Sequence, residues 1–272
     1  MKPSIVCTVV GVVFSFVGLP PQAKSACTNP NSILNGTYGW LSEDGLIASG
    51  NSRSPKVGDF VPLVQVGQVT FDGNGNISGS HDTSLGGVLI PHVDSGTYSV
   101  NSDCTTGTVS FHNGFTMSIV ITSGGQEIKY GSATTGGVNA GTLRPAAIGP
   151  CSARTLGGNS YGYASHGLVA AGNGNGFPRV GGFVPFSAAG QISFAADGSV
   201  SGMNNVNLGG VFIPGQPIVG TYSVNSDCTG TTTMTIAGDD QSWHFVILQG
   251  AGQVIFIASP SGLVWSGTLT KD

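Results

Sequence analysis

Charge is scarce in this sequence: only 8% of its 272 residues are Asp, Glu, Lys or Arg, and aromatic residues make up another 8%. A coiled coil or helical bundle would be rich in Ala, Glu, Lys and Leu, so that class is excluded. Nucleic acid is not an expected partner, because phosphate neutralisation needs clustered cations and the 9 Lys and Arg are scattered. No Cys-x-x-Cys pair signals a metal ribbon. There is no Gly-x-Ser-x-Gly elbow, phosphate loop or HExxH, which removes the usual hydrolase and nucleotide readings. Beyond the N-terminal stretch no apolar run is long enough for a membrane-spanning helix. With so few aromatics and no Tyr and Trp girdles, a single large outer-membrane barrel is disfavoured as well.

What is abundant is glycine, with 45 residues, alongside 14 prolines and 39% hydrophobic residues at a mean hydropathy of +0.20. That combination reads as an ordered, turn-rich β protein rather than a disordered chain. The N-terminus carries Lys2, an uncharged stretch from Ser4 to Leu19, and the small-residue sequence Ala23-Lys-Ser-Ala26. This is the order of a secretory signal peptide over residues 1–26, with cleavage expected after Ser25 or Ala26 and a secreted product, periplasmic or extracellular. Its removal would leave 7 basic and 13 acidic residues, moving the formal charge from −4 to −6.

The remainder is a tandem duplication. Gly96-Thr-Tyr-Ser-Val-Asn-Ser-Asp-Cys-Thr105 recurs letter for letter at Gly220 to Thr229, an offset of 124. Val57-Gly-Asp-Phe-Val-Pro62 answers Val180-Gly-Gly-Phe-Val-Pro185, and Leu85-Gly-Gly-Val-Leu-Ile-Pro91 answers Leu208-Gly-Gly-Val-Phe-Ile-Pro214. A repeat of this kind decides the architecture before any local pattern does. It predicts one unit over 27–145, a proline-stiffened linker over 146–150 and a second unit over 151–272. Four cysteines fall as Cys27 and Cys104, then Cys151 and Cys228, each pair 77 residues apart. Of three possible connectivities only pairing inside each copy follows the duplication, so the bridges expected are Cys27–Cys104 and Cys151–Cys228. In an exported chain they would be oxidised.

Alternate residues of Val61 to Phe71 give an apolar face, broken by Gln65 and Gly67, while Pro62, Val64, Val66, Gln68, Thr70 and Asp72 form a mostly wet one. Phe71-Asp-Gly-Asn-Gly-Asn-Ile77 supplies a hairpin turn. Further strands are expected at Gly36–Ser42, Ile77–Ser84, Val88–Ile90, Gly96–Val100, Thr106–His112, Thr116–Thr122, Gln126–Ser132 and Asn139–Arg144. About eight short strands per copy joined by hairpins predict an all-β fold, two tandem antiparallel meander barrels. Closure is preferred because few charges are present to protect open edges.

At Leu34-Asn-Gly-Thr-Tyr38, Gly67-Gln-Val-Thr-Phe-Asp-Gly-Asn-Gly-Asn-Ile-Ser-Gly79 and Gly220-Thr-Tyr-Ser-Val-Asn-Ser-Asp-Cys-Thr-Gly230 the chain resembles a group of exported bacterial tandem-repeat proteins of unknown function. At the level of fold that group is similar to the eight-stranded barrels of allene oxide cyclases and dirigent proteins, and more loosely to lipocalins. The resemblance implies a lumen able to hold a small apolar molecule. It matches no catalytic motif residue by residue.

The five histidines, His81, His92, His112, His166 and His244, have no equivalents between copies and no ligand spacing, so no metal site and no cofactor are expected. Glu43-Asp44 and Asp239-Asp240 read as solvated turns rather than a catalytic dyad. Tyr98 and Tyr222 share the phase of core valines and read first as core residues whose hydroxyls find partners; in the second reading they are, with Gln65, the candidate ligand contacts. Aligning Gln126-Glu-Ile-Lys-Tyr130 with Gln253-Val-Ile-Phe-Ile257 shows an amphipathic strand turned apolar on both faces, which suggests that Val254 and Phe256 cover copy one or another chain. Two functions follow: an exported, non-enzymatic barrel that binds a small apolar ligand or surface component or serves structurally, and a cyclase or isomerase acting on an apolar intermediate in the lumen.

Overall fold

The computed structural model describes residues 27–48, 56–172, 179–236, 238–259 and 261–272; the expected signal peptide, residues 1–26, lies outside them. Eight antiparallel strands close the first barrel: β1 (Asn35–Ala48), β2 (Phe60–Asp72), β3 (Asn76–Leu85), β4 (Val88–Val100), β5 (Thr106–Phe111), β6 (Thr116–Thr122), β7 (Glu127–Ser132) and β8 (Gly137–Pro145). Closure is made by β1, which pairs with both β2 and β8. The second barrel repeats the order with β9 (Asn159–Ala170), β10 (Phe183–Phe194), β11 (Ser199–Leu208), β12 (Val211–Val224), β13 (Thr229–Ile236), β14 (Asp239–Ile247), β15 (Gln253–Ala258) and β16 (Leu263–Lys271), closed by β9 between β10 and β16. The two segments expected at Val88–Ile90 and Gly96–Val100 are one strand, β4, running through Pro91.

The end of each barrel that carries the disulfide is sealed in the same way. The turn Pro30–Ile33 and Leu34 sit under the first lumen, and the short helix Ala153–Leu156 sits under the second. Cys27–Cys104 and Cys151–Cys228 hold these plugs against the hairpins that follow β4 and β12. Tyr98 donates its hydroxyl to the carbonyls of Asn31 and Leu34 at 3.0 and 2.9 Å, and Tyr222 donates to Ala153 and Ala195 at 2.7 and 2.8 Å. Each plug is thus tied both covalently and through a phenol, whose buried hydroxyl finds its partners at the sealed end.

The barrels pack side by side. The face of β2 expected to be wet is half covered: Val64 and Val66, with Leu41 of β1, meet Phe183, Val246, Ile255, Ile257 and Val264 of the second barrel. β15 is buried on both faces as its sequence requires, but Val254 and Phe256 point into their own lumen and Ile255 and Ile257 make the contact. The expectation for Val254 and Phe256 is therefore corrected by one residue. Ile128 pairs with Leu143 and Val254 with Leu269, so the true offset here is 126, and the apparent Gln126 to Gln253 match is a slip. Because side chains alternate, a slip of one exchanges inside for outside. The linker is stitched in as well, with Ala147 N–H donating to the Ile247 carbonyl at 2.9 Å.

Polar contacts edge this seam. Gln68 donates to the Asp227 carbonyl at 2.8 Å and Arg144 to Gln253 Oε1 at 2.9 Å. Two cross-barrel pairs join an aspartate of the first barrel to a histidine of the second, Asp82 with His244 at 2.7 Å and Asp44 with His166 at 3.1 Å. Asp44 reaches His166 because β1 bulges between Ser42 and Gly45 and Asp44 adopts φ of 51°. A bulge of this kind re-aims a side chain that regular pleating would place elsewhere. No helix among the described residues is long and apolar enough to cross a membrane.

Candidate functional site

Packing fills the plugged half of the first lumen and stops at Trp40, which is 1% exposed and stacks at 5.9 Å on Phe111. Above Trp40 a cavity of about 490 Å³ opens at the end away from the disulfide. Leu63, Leu85, Ile90 and Phe115 supply apolar wall, and Gln65, His81, Thr83, His92, Asp94 and Asn139 supply polar wall. Strand alternation explains the polar set: His81 and Thr83 share the face of Ile77 on β3, and His92 and Asp94 share the face of Tyr98 on β4. His81 leans across Gly67, where a Cβ would stand 2.4 Å from the His81 Cα, so only glycine permits the close approach of β2 and β3 there.

The polar residues form one directed chain. Ser42 donates to Asn139 Oδ1, Asn139 Nδ2 donates to Gln65 Oε1 at 2.9 Å, and Gln65 Nε2 donates to Thr83 Oγ1 at 3.0 Å while lying 3.2 Å from His81 Nε2. With Gln65 presenting N–H, His81 Nε2 is the acceptor and the ring proton sits on Nδ1, 3.5 Å from Asp94 Oδ2. Asn113 in turn donates to Asp94 Oδ1 at 3.0 Å. Burial drives the His81 pKa down to about 4, against the pull of Asp94 in the other direction, so the ring is neutral at neutral pH. The ring is sandwiched, 4.6 Å from Trp40 and 4.9 Å from His92. Burial also pushes the Tyr130 phenol well up, although Trp40 donates to its oxygen at 2.7 Å.

The same positions in the second barrel carry different chemistry. Strand register equates Gln65 with Ala188, His81 with Asn204, His92 with Gln216, Asp94 with Ile218 and Asn139 with Trp265. The second lumen keeps a smaller cavity of about 330 Å³, bordered by Tyr163, Ser165, Phe186, Asn204 and Trp265 and rimmed by Asp239 and Asp240. Burial raises Tyr163 to about 12, with Asn204 offsetting part of that effect. Among the described residues no group of three His, Cys, Asp or Glu is arranged to hold a metal ion.

Of the residues singled out by sequence, Gln65 lies on the wall of the first cavity, whereas Tyr98 and Tyr222 hold the plugs at the opposite ends and do not border either cavity. His81, His92 and Asp94 were missed as a group, since the second copy has no equivalents and they are dispersed along β3 and β4. The signal that finds them is the two-residue period carried back from Ile77 and Tyr98.

No family model matches the chain, and no curated protein matches it. Solved structures with some likeness include the crystal structure of CghA, at 8% identity over 94% of this chain and 96% of that one with a TM-score of 0.26. Another is a protein of unknown function from the DUF3598 family of Nostoc punctiforme, at 10% identity over 90% and 99% with a TM-score of 0.21. Neither likeness is close enough to bear on function.

Proposed function

We propose that the chain is an exported small-molecule-binding protein whose ligand occupies the lumen of the first barrel. The observation that carries this reading is the open cavity above Trp40, where Leu63, Leu85, Ile90 and Phe115 face a hydrogen-bonded belt of polar side chains. Such a site suits a mainly apolar molecule with one hydrogen-bonding group, because the apolar wall supplies affinity and the polar wall fixes orientation. Two disulfides fit an oxidising compartment, in keeping with export. Native mass spectrometry of the mature protein and titration with 2-naphthol test the reading. Saturable binding of one molecule, lost when Ile90→Trp narrows the mouth, is expected. Absence of saturable binding, or affinity unchanged in Ile90→Trp, would refute it.

A second reading, a cyclase or isomerase acting on an apolar intermediate, draws on one feature: a neutral imidazole backed by Asp94 at the cavity wall. An enolisable ketone in D2O would then exchange its α-proton faster with the wild type than with His81→Gln. Equal rates remove that reading.

A further inference from the structure

The second lumen holds a larger imbalance than the first, where His81 Nδ1 is the one buried side-chain atom left without a hydrogen-bond partner among the described residues. In the first, the buried polar side chains largely satisfy one another through the chain from Ser42 to Thr83. In the second, Tyr163 Oη, Ser165 Oγ, Asn204 Oδ1 and Gln241 Oε1 border the cavity, buried and without a partner in hydrogen-bonding geometry; the Asn204 side chain comes near enough to the Tyr163 phenol to restrain its pKa, yet leaves both oxygens without a well-formed bond. Tyr163, Ser165 and Asn204 are only 5%, 3% and 3% exposed. Polar groups buried this deeply are normally paired, and four orphans converging on one cavity are a cluster rather than a scatter. Their setting is aromatic: Trp265 lies 5.0 Å from Phe186 and 5.8 Å from Trp243, leaving a ring-lined wall beside the orphans.

We infer that the second barrel has its own binding site, for a small neutral molecule with an aromatic or unsaturated ring and at least one O–H or N–H donor. The donor is required because the orphaned oxygens of Asn204 and Gln241 can only accept, whereas the hydroxyls of Tyr163 and Ser165 can do either. Neutrality follows from the lining, which offers no cation. The rim carboxylates of Asp239 and Asp240, neither of them in an ion pair among the described residues, repel an anion. This site does not depend on the reading of the first barrel, whose ligand faces a histidine.

The tryptophans make the two sites separately visible, since Trp40 belongs to the first lumen while Trp243 and Trp265 belong to the second. The test is a titration of the ¹⁵N-labelled mature protein with p-cresol, 4-methylanisole and 4-methylbenzoate, following the three indole N–H resonances assigned through Trp40→Phe and Trp265→Phe. A saturable shift of the Trp265 resonance with p-cresol is expected, at least about ten-fold weaker with 4-methylanisole, which has lost the donor, and absent with 4-methylbenzoate. Asn204→Leu should reduce the preference for p-cresol, and Tyr163→Phe with Asn204→Leu should abolish it. If the double variant fails to fold, the single variant carries the comparison. Equal affinity for the cresol and its methyl ether, no shift of Trp265 up to the solubility of p-cresol, or tighter binding of the carboxylate each overturns the site. So does an Asn204→Leu protein that melts higher and binds p-cresol unchanged, since the orphans would then be merely hydrated.

Discussion

Acid should act on the first lumen through His81. In the folded protein burial holds this imidazole at about 4, while in the unfolded chain it returns to 6.5. Because the folded value is the lower one, nothing is lost above pH 6.5. As the pH falls from there towards 4 the unfolded state takes up a proton that the folded state refuses, and stability declines. At about 1.4 kcal/mol per pH unit, this one group should cost about 3 kcal/mol across that window. His81→Gln keeps a side chain able to meet Gln65 and Asp94 but cannot titrate. Urea unfolding of both proteins between pH 7 and pH 4 isolates the effect, since the other acid-sensitive groups cancel in the difference. The Cε1–H resonance of His81 offers a direct reading and should remain that of a neutral ring until the pH approaches 4. A resonance that titrates near 6.5, or parallel pH profiles for the two proteins, would refute the burial argument.

The seam should respond to pH in the opposite direction at its His166–Asp44 pair. The hydrogen bond with Asp44 raises His166, so that contribution is complete below about pH 6.5 and fades as the pH rises through the folded value, while the lowered Asp44 loses its share only in acid. As both groups are substantially exposed the effect stays at or below about 1 kcal/mol, and a urea midpoint that falls from pH 5.5 to pH 8 in the wild type but less in Asp44→Asn is the expected result. Ile257→Asp should loosen the barrels from each other and enlarge the particle in small-angle scattering. Phe256→Ala, one position away but inside the lumen, should instead destabilise the second barrel by about 3–5 kcal/mol in denaturant titrations. Replacing Cys27 and Cys104 together by Ala should lower stability by about 4 kcal/mol under oxidising conditions and leave the reduced proteins alike.

The sequence disclosed the duplication, the barrels and both bridges because each rests on repetition or on alternation, and those survive without coordinates. Gln65 could be placed on a lumenal wall for the same reason. The gap between Val88–Ile90 and Gly96–Val100 is no gap in the structure, because β4 passes through Pro91 intact. Val254 and Phe256 misled because apolar residues on both faces remove the alternation that would have revealed the slipped alignment. The covered face of β2 was out of reach: Val64 and Val66 do not say which distant surface meets them. Tyr98 and Tyr222 have the phase of lumenal residues, but phase does not tell height along the barrel, and they stand at the sealed end.

The seam also bears on how this chain arose. An ancestral single unit would have needed either a polar exterior all round or a second copy to cover its flank, whereas each present copy turns an oily flank toward its sibling and shares a stitched linker with it. Such specialisation runs one way. Cutting the gene at the linker would free two halves with bare apolar flanks, prone to clump, and recovering either as a soluble monomer would require repainting Val64 and Val66 on one side or Ile255 and Ile257 on the other with polar residues.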